Sequence, residues 1–256
     1  MPAIKIGVQV HPQQTTYERY REVWLRLDEM GVDSIWNWDH FFPLYGEPNG
    51  PHFEGWTTLV TLGAETQRAR VGCLVLCMSY RNPALLATMV KTLDHATGGR
   101  LILGVGAGWF QRDYDEYGYD FGTPGQRLKN LERGLEVIKA RWERDEPKPL
   151  RGTVPILIGG GGEKVTLRIT AQHADLWNGF GPAEQWDRKN RILDDWCREV
   201  GRDPAAIERT ASIGAEDVGR LDPFVEAGAT HLICRLGAPF DLAPIERLLE
   251  WRDRTQ

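Results

Sequence analysis

Short apolar runs alternate along this chain with segments whose apolar residues recur at helical spacing. The first run, residues 4–10, reads IKIGVQV, and the segment behind it places Tyr20, Val23, Trp24 and Leu27 on one helical face. This alternation continues towards the end of the chain and predicts eight strands separated by helices. The predicted strands cover residues 4–10, 34–40, 70–78, 101–108, 155–160, 176–180, 208–214 and 231–237.

Capping residues mark where several of the helices begin and end. The segment Thr15–Glu18, which reads TTYE, has the form of a capping box, and Gly31 is placed to end that helix. Asn82 and Thr123 are each followed by proline, the arrangement of an N-cap residue and a first helical position. Further helices are predicted to begin near Pro182, Asp222 and Asp241, and a less regular one to span Glu163–His173.

The order of these elements favours one barrel. Strands that are apolar almost throughout and alternate with helices are typical of a parallel sheet covered on both faces. Eight such units match the size of a (β/α)8 TIM barrel, so residues 1–256 are predicted to form a single α/β domain of this class. A doubly wound open sheet is the alternative, but it usually carries a glycine-rich first turn, and here that turn reads HPQQ.

Composition supports a folded core and gives no support to a nucleic-acid or membrane partner. Apolar residues make up 41% of the chain and charged residues 26%, so extensive disorder is not expected. The net charge of −5 disfavours nucleic acids and anionic membranes, since both favour a basic surface. The N-terminal stretch lacks the apolar core of a signal peptide, and no apolar run approaches the ~20 residues of a membrane span.

The cysteine and histidine spacings predict no metal site. The cysteines form no CxxC pair and no zinc pattern, so they are interpreted as reduced core thiols of a cytoplasmic protein. His11, His40 and His52 also lack the spacing of known metal motifs. The cysteines are Cys73, Cys77, Cys197 and Cys234.

The predicted barrel locates the candidate chemistry, because active sites of this fold form at the carboxyl ends of the strands. His11 follows the first predicted strand, and Asp39 and His40 end the second. The next four strands end in Cys77–Arg81, in Gly106, Ala107, Gly108 and Trp109, in Gly159, Gly160, Gly161 and Gly162, and in Asn178 and Gly179.

The four consecutive glycines are the most informative of these segments. A glycine run between a strand and a helix exposes backbone N–H groups beside the positive end of the helix dipole, which is a ready phosphate site. Lys164 and Arg168 would add positive charge and Glu163 a negative one. The run matches neither GxxxxGK nor GxGxxG, so nucleotide folds of those types are not supported. An ordinary glycine-rich turn is the alternative interpretation.

Two other segments each allow a functional and a structural interpretation. The alternate glycines of GVGAGW, residues 104–109, indicate either close packing in a narrow barrel or a wall against which a flat ligand lies, with Trp109 above it. The Asp39-His40 pair indicates either an acid/base group at the barrel mouth or a histidine with a structural hydrogen bond. The residues alone do not decide between them.

Five motifs in order resemble one known family. They are SIWNWDHFF, FEGWTTL, YRNPALLA, GGRLILGVGAGW and PILIGGGGEKVTLRITAQHADLWN. Over residues 4–180 the chain is similar to the luciferase-like monooxygenase superfamily, and within it to the oxidoreductases that use the deazaflavin coenzyme F420. Beyond residue 180 the likeness is one of general architecture.

The resemblance implies a barrel, usually a homodimer, that binds a flavin or deazaflavin in its mouth. By position, Gly159–Gly162 corresponds to the phosphate-binding loop and Gly106–Gly108 to the backbone along the coenzyme tail. Asp39 and His40 correspond to a pair near the ring, with His40 the candidate for proton transfer. A non-proline cis peptide that supports the ring is expected at Leu74–Val75.

The chain also departs from the family. Some sugar-phosphate dehydrogenases of this branch place an acidic residue where this chain has Trp109, so a flatter and more apolar substrate is expected. Segment 143–155 is much shorter than the family's usual insertion before the fifth strand, so part of the substrate wall at the mouth is expected to be missing or to be supplied by a second subunit. The cationic residues that some members supply beyond the sixth strand have no clear counterpart.

The resemblance and the residues together predict hydride transfer between coenzyme F420 and a small organic substrate. A deazaflavin carries the hydride itself, so the protein has to bind the ring, orient the acceptor and manage one proton. An FMN-dependent monooxygenase supplied by a separate reductase is the first alternative. A non-catalytic barrel that binds flavin or phosphate is the second.

Overall fold

Parallel strands close into a barrel in the computed structural model, which describes residues 3–255. The strand order is β3-β2-β1-β9-β8-β7-β6-β5-β4, and pairing between β3 and β5 completes the ring. Segments β3 and β4 belong to one barrel strand, so the predicted (β/α)8 architecture is confirmed. The strands are β1 (Lys5–Val10), β2 (Ser34–Asn37), β3 (Arg70–Cys73), β4 (Leu76–Cys77), β5 (Leu101–Gly106), β6 (Ile156–Gly159), β7 (Leu176–Phe180), β8 (Glu208–Ile213) and β9 (His231–Leu236).

Helices pack around the outside of this barrel. Several begin at the predicted caps: Asn82 accepts hydrogen bonds from Ala84 N and Leu85 N, and Thr123 accepts one from Gln126 N. The helices are α1 (Tyr17–Met30), α2 (Gly55–Glu65), α3 (Pro83–Ala96), α4 (Gln111–Tyr117), α5 (Pro124–Arg144), α6 (Thr166–His173), α7 (Ala183–Glu199), α8 (Asp222–Glu226) and α9 (Ala243–Thr255).

Each predicted strand region contains a strand, and the differences are local. The third region is interrupted at the cis peptide Leu74–Val75, which stands at the predicted bond. The capping box predicted at the start of α1 is wrong, because Thr16 is the cap and binds Arg19 N. Helix α6 begins at Thr166 rather than Glu163. Helix α4 was not predicted, since its segment lacks an apolar stripe.

The lower part of the barrel interior is filled by side chains. Trp36 is fully buried there and packs with Ile102, Leu157, Leu176 and Ile233. The backbone leaves room for the indole at Gly72, where a Cβ would lie 2.6 Å from the Trp36 ring. This plug fills the interior of the barrel below its C-terminal end.

Residues 145–155 lie at the plugged end of the barrel. This segment joins α5 to β6 and is tied to the end of α3, where Leu150 N donates to Asp94 Oδ2 at 2.8 Å and His95 Nε2 lies 2.8 Å from Lys148 O. The expectation that this short segment uncovers the mouth is therefore wrong. It is remote from the mouth because it connects a helix to the beginning of a strand.

The structure also bears on the class of the protein. Within residues 3–255, no helix combines the length and the apolar character needed to cross a membrane. The four cysteines are free and buried, as predicted. The described part of the chain contains no group of three or more His, Cys, Asp or Glu side chains that could hold a metal ion.

Two histidines pack on Trp38 where the loops after β1 and β2 meet. The His11 ring stacks on the indole with centroids 4.2 Å apart, and Trp38 Nε1 donates to His52 Nε2 at 3.0 Å. Burial lowers the pKa of His11 to about 4, with Arg235 contributing. Burial, followed by the charge of His40, lowers the pKa of His52 to about 4. Both rings are therefore neutral at pH 7.

We expect the free energy of unfolding to fall as the pH is lowered from 7 to 5. The unfolded chain binds protons on these histidines near pH 6.5, whereas the folded chain does not until about pH 4, so acid favours unfolding. The loss is on the order of 2 kcal/mol for each ring. Urea unfolding at a series of pH values measures it.

A matched pair of variants assigns the effect. His52→Gln keeps an oxygen acceptor for Trp38 Nε1 but does not titrate, so its stability should depend less steeply on pH. His95→Gln, at an exposed position, should retain the wild-type slope. Equal slopes in the two variants would contradict the assignment to His52.

Candidate active site

A cavity of about 600 Å³ opens at the C-terminal end of the barrel. Its volume lies within the usual range for a small-molecule site. Most of the predicted site residues line it: Asp39, His40, Leu74, Val75, Gly106, Ala107, Gly108, Gly159 and Gly160. Gly161 and Gly162 follow directly but do not line the cavity itself.

Asp39 is buried and its carboxylate is already occupied by the protein. Arg81 binds it through both nitrogen arms, with Nη1–Oδ2 and Nη2–Oδ1 distances of 2.6 and 2.9 Å. Cys77 N donates to Oδ2 at 2.9 Å. Asp39 therefore holds the ends of neighbouring strands together at the cavity wall. Its charge is neutralised by Arg81 rather than left for a ligand.

His40 is held in one orientation by a carboxylate that sequence reasoning did not identify. Its Nδ1 lies 2.7 Å from Asp113 Oδ2, and Asp113 is fully buried. Tyr80 OH and Phe41 N also donate to this carboxylate, at 3.1 Å each. An ionised carboxylate only accepts hydrogen bonds, so Nδ1 carries a proton. Nε2 has no hydrogen-bond partner in the described part of the chain and can accept or deliver a proton.

Aromatic side chains surround His40 at the rim. Trp109 and Phe110 meet the imidazole edge to face, with centroids 5.7 and 5.4 Å away. The Trp109 side chain is 64% exposed and lines the cavity. Trp109 therefore presents an apolar surface beside the imidazole at the cavity opening, and its role over a ligand stays a prediction.

The side chain of Val75 projects between two glycines on the floor of the cavity. A Cβ added at Gly106 would lie 2.7 Å from Val75 Cγ2, and one at Gly159 would lie 2.8 Å from Cγ1. The neighbouring carbonyl, Leu74 O, accepts a hydrogen bond from Gln9 Nε2 at 2.6 Å. The third barrel strand is therefore fixed from three sides where it forms the floor.

The glycines of GVGAGW are explained by packing. A Cβ at Gly104 would lie 1.9 Å from Cys73 O, and one at Gly108, where φ is +83°, would lie 2.0 Å from Tyr114 OH. With the contact of Gly106 to Val75, each glycine is required by a protein neighbour. Of the two interpretations of this motif, packing is sufficient, although Gly106–Gly108 also lines the cavity.

The four-glycine loop turns away from β6 at Gly160, whose φ is +135°. Gly160 N donates to Asn178 O at 3.2 Å, and Gly160 O accepts from Trp177 Nε1 at 2.8 Å. The N–H groups of Gly161 and Gly162 have no hydrogen-bond partner within the described residues. Free N–H groups ahead of the N-terminus of a helix are the kind of donors that an anion site uses.

A lysine from α7 lies beside these free N–H groups. A Cβ built on Gly161 would be 2.6 Å from Lys189 Nζ, and Nζ also lies 5.3 Å from the Phe180 ring centroid. The side chain of Arg168, expected to assist the loop, instead pairs with Glu132 at 2.9 Å. Glu163 pairs with Arg188 at 2.9 Å, which offsets its negative charge. Lys189 is therefore a cation beyond the sixth barrel strand that lies beside the loop, although the sequence showed no clear counterpart to the family's cationic residues there.

Sequence reasoning missed Asp113 and Lys189 for different reasons. Asp113 lies in α4, a two-turn helix among mixed charges, and no pattern distinguishes it from Asp115 two residues later. Lys189 lies in the correctly predicted helix after β7, one position from Arg188, on the side that turns towards Gly161. The sequence does not show which of these neighbouring cations approaches the loop.

Comparison with known proteins places the chain among related sequences. The family model described as luciferase-like monooxygenase matches residues 3–215. An uncharacterised protein of Mycobacterium tuberculosis (strain ATCC 25618 / H37Rv) is 27% identical over 195 residues, which cover 70% of this chain and 67% of that protein. The F420-dependent glucose-6-phosphate dehydrogenase of Amycolatopsis mediterranei (strain U-32) is 30% identical over 144 residues, covering 56% of this chain and 43% of that enzyme.

A solved structure has the same fold. It is an F420-dependent secondary alcohol dehydrogenase in complex with an F420-acetone adduct, with a TM-score of 0.86 and 18% sequence identity. The match covers 96% of this chain and 97% of that one. Since the family model spans most of the sequence and the barrel agrees with it, this protein belongs to the luciferase-like monooxygenase family.

Proposed function

We propose that this protein is an F420-dependent oxidoreductase that transfers a hydride between the deazaflavin and a small organic substrate. The observation that carries the proposal is the pairing of His40 with buried Asp113 at the rim of a cavity whose far side ends in a glycine loop with free N–H groups. The names of the Amycolatopsis relative and of the solved structure, both of which include F420, support the choice of coenzyme.

The residues present fit a ring with a phosphate-bearing tail. The cavity floor at Val75 and the glycines beside it offers a surface without projecting polar groups. The hydrogen-bond donors and the positive charge for a phosphate would then come from Gly161 N, Gly162 N and Lys189 Nζ. Gly106–Gly108 would hold the part of the tail between them, and Leu74 and Val75 the face of the ring.

Different residues of the chain have different roles in the proposed reaction. The bound deazaflavin supplies the carbon that gives or takes a hydride. His40 Nε2 accepts or donates the proton that accompanies hydride transfer, because Nδ1 is already engaged as the hydrogen-bond donor to Asp113. Asp39 keeps the wall beside the ring in place through Arg81, and Trp109 limits access of water from above. Within the described part of the chain, the residues that line the cavity include no paired nucleophile and base.

The first prediction concerns coenzyme affinity. Purified protein should bind F420 more tightly than FMN, and Gly160→Val should abolish F420 binding. A valine there would occupy a φ of +135°, which β-branched residues disfavour, and would project beside the phosphate donors. Fluorescence titration with each coenzyme, alongside circular dichroism to verify folding, measures both effects.

Gly125→Val is the matched control for this variant. A Cβ at Gly125 meets only Thr123 Oγ1, at 3.9 Å, and the residue does not line the cavity, so F420 affinity should stay at the wild-type value. Wild-type F420 affinity in a folded Gly160→Val protein would contradict the phosphate role. Tighter binding of FMN than of F420 would favour the monooxygenase alternative, which needs a separate reductase.

The second prediction concerns the histidine and its orienting carboxylate. His40→Ala should slow turnover by about 10²- to 10⁴-fold, the usual worth of general acid or base catalysis, while F420 affinity stays within a few-fold. Asp113→Asn should also lower turnover, since an amide no longer requires the Nδ1–H tautomer. Rapid-mixing measurements of hydride transfer, alongside coenzyme titration, separate the two effects.

A readout independent of the substrate accompanies these variants. The ¹⁵N shifts of the His40 ring should report the Nδ1–H tautomer in the wild type and a changed tautomer in Asp113→Asn. Asp115→Asn, at an exposed position of the same helix, should change neither the shifts nor turnover. Unaltered proton uptake and hydride transfer in His40→Ala would overturn its assignment as the proton-transfer residue.

The assembly state is a further prediction, supported by the family resemblance. We expect a homodimer, although the reason based on segment 143–155 no longer applies because that segment lies at the plugged end. Light scattering at micromolar concentration should give twice the mass of 29.0 kDa. A monomer mass at that concentration would contradict it. The cytoplasmic location also stays a prediction.

A further inference from the structure

The cavity has two chemically different sides. Small residues and free N–H groups characterise the side built by β4, β5 and β6. The side built by β8, β9 and β1 instead presents polar side chains at the mouth. These are Gln9, His11, Ser212 and Arg235. The proposed coenzyme contacts leave this second side unassigned.

His11 is buried against the second side with a polar atom that the protein does not satisfy. The residue is 9% exposed, and Nε2 has no hydrogen-bond partner among residues 3–255. Its backbone is fixed because His11 N donates to Leu236 O at 2.9 Å. A buried polar group without a partner costs on the order of 1–3 kcal/mol, so its presence beside a cavity points to a partner supplied by a ligand.

Arg235 gives this side its charge. It is the register partner of Gln9 across the β1–β9 pair, one strand from His11. Its Nη2 contacts Glu216 at 3.4 Å, but both side chains are largely exposed and such pairs are weak. Asp39, the one carboxylate among the described lining residues, is already bound by Arg81. The guanidinium is therefore the available charge in the lining.

Aromatic rings define the shape of the same side. Trp38 stacks on His11, and the Tyr45 ring lies nearly parallel to His11 with its centroid 6.0 Å away. Both rings line the cavity, and the Tyr45 residue is 59% exposed. Stacked rings around a polar group favour a flat ligand with one polar end.

We propose that the β8–β9–β1 side is the substrate subsite and takes a flat conjugated or aromatic carboxylate, whose oxygens bind Arg235 and His11 Nε2. Recognition combines a charge-assisted hydrogen bond from the guanidinium with a neutral one from the imidazole. This inference rests on the proposed function only for the reaction that follows binding. The low pKa of His11, set by burial, keeps its ring neutral before the ligand arrives.

Matched probes test the subsite without knowledge of the natural substrate. Calorimetric titration with cinnamate and with cinnamamide, and with benzoate and benzamide, compares a carboxylate with a neutral amide of the same shape. Each titration is done with the protein alone and with saturating F420. We expect the dissociation constant of at least one acid to be lower than that of its amide by about tenfold or more, which is the usual contribution of a hydrogen bond to a charged group.

Variants then assign the discrimination to these residues. Arg235→Gln should remove the preference for the acid, Arg235→Lys should retain part of it, and His11→Phe should weaken acid binding while keeping the stack on Trp38. Arg26→Gln, an exposed position on α1 with the same change in charge, should bind like the wild type. Melting temperatures verify that each variant is folded.

The outcomes separate this inference from the proposed function. Equal affinity for acid and amide, no acid binding in either set, or a preference that survives Arg235→Gln overturns the subsite, whatever the F420 titration gives. Acid binding that depends on Arg235 in a protein with no affinity for F420 upholds the subsite and overturns the proposed coenzyme.

Discussion

The buried carboxylate of Asp39 is the interaction on which the mouth of the barrel depends. Arg81 holds both oxygens, Cys77 N binds one of them, and the same guanidinium reaches Glu54 at 2.6 Å. Glu54 in turn caps α2 by accepting from Trp56 N at 3.0 Å. A single charge network thereby connects the end of β2, the end of β4 and the beginning of α2. Removing one partner of such a buried pair costs about 3–5 kcal/mol.

This charge network explains why the floor and the rim of the cavity keep fixed positions relative to each other. Cys77, held by Asp39, belongs to the same barrel strand as Val75, so the floor is tied to the wall. His40 is the next residue after Asp39, and its ring is fixed separately by Asp113. The orientation of His40 and the packing of the cavity wall are therefore set by adjacent residues with different partners, and a change in one network need not disturb the other.

Much of the fold followed from the sequence because strand and helix periodicity are local. The eight strand regions, the caps at Asn82 and Thr123, and the glycine loop each depend on a few consecutive residues. Asp113, Lys189 and Arg235 could not be found in this way. Asp113 contacts His40, Lys189 lies beside Gly161, and Arg235 is the register neighbour of Gln9. These pairs are distant in the chain, and only the folded barrel brings them together.

The glycines show the same limit of prediction from sequence alone. Gly104 and Gly106 could be recognised as unusual, but the atoms that require them, Cys73 O and Val75 Cγ2, belong to another strand. A sequence pattern shows that a side chain is absent, but it does not show which neighbouring atom excludes that side chain. The choice between packing and a ligand wall therefore needed the structure.

The position of residues 145–155 bears on how this fold can be altered. They lie at the plugged end, separated by the Trp36 layer from the cavity and from His40. Exposed connections of this kind tolerate inserted sequence and new chain ends better than packed ones do. We expect this segment to accept a reporter domain, an immobilisation tag or the junction of a circular permutation. Such a change would lie at the opposite end of the barrel from the cavity and would leave the mouth unaltered.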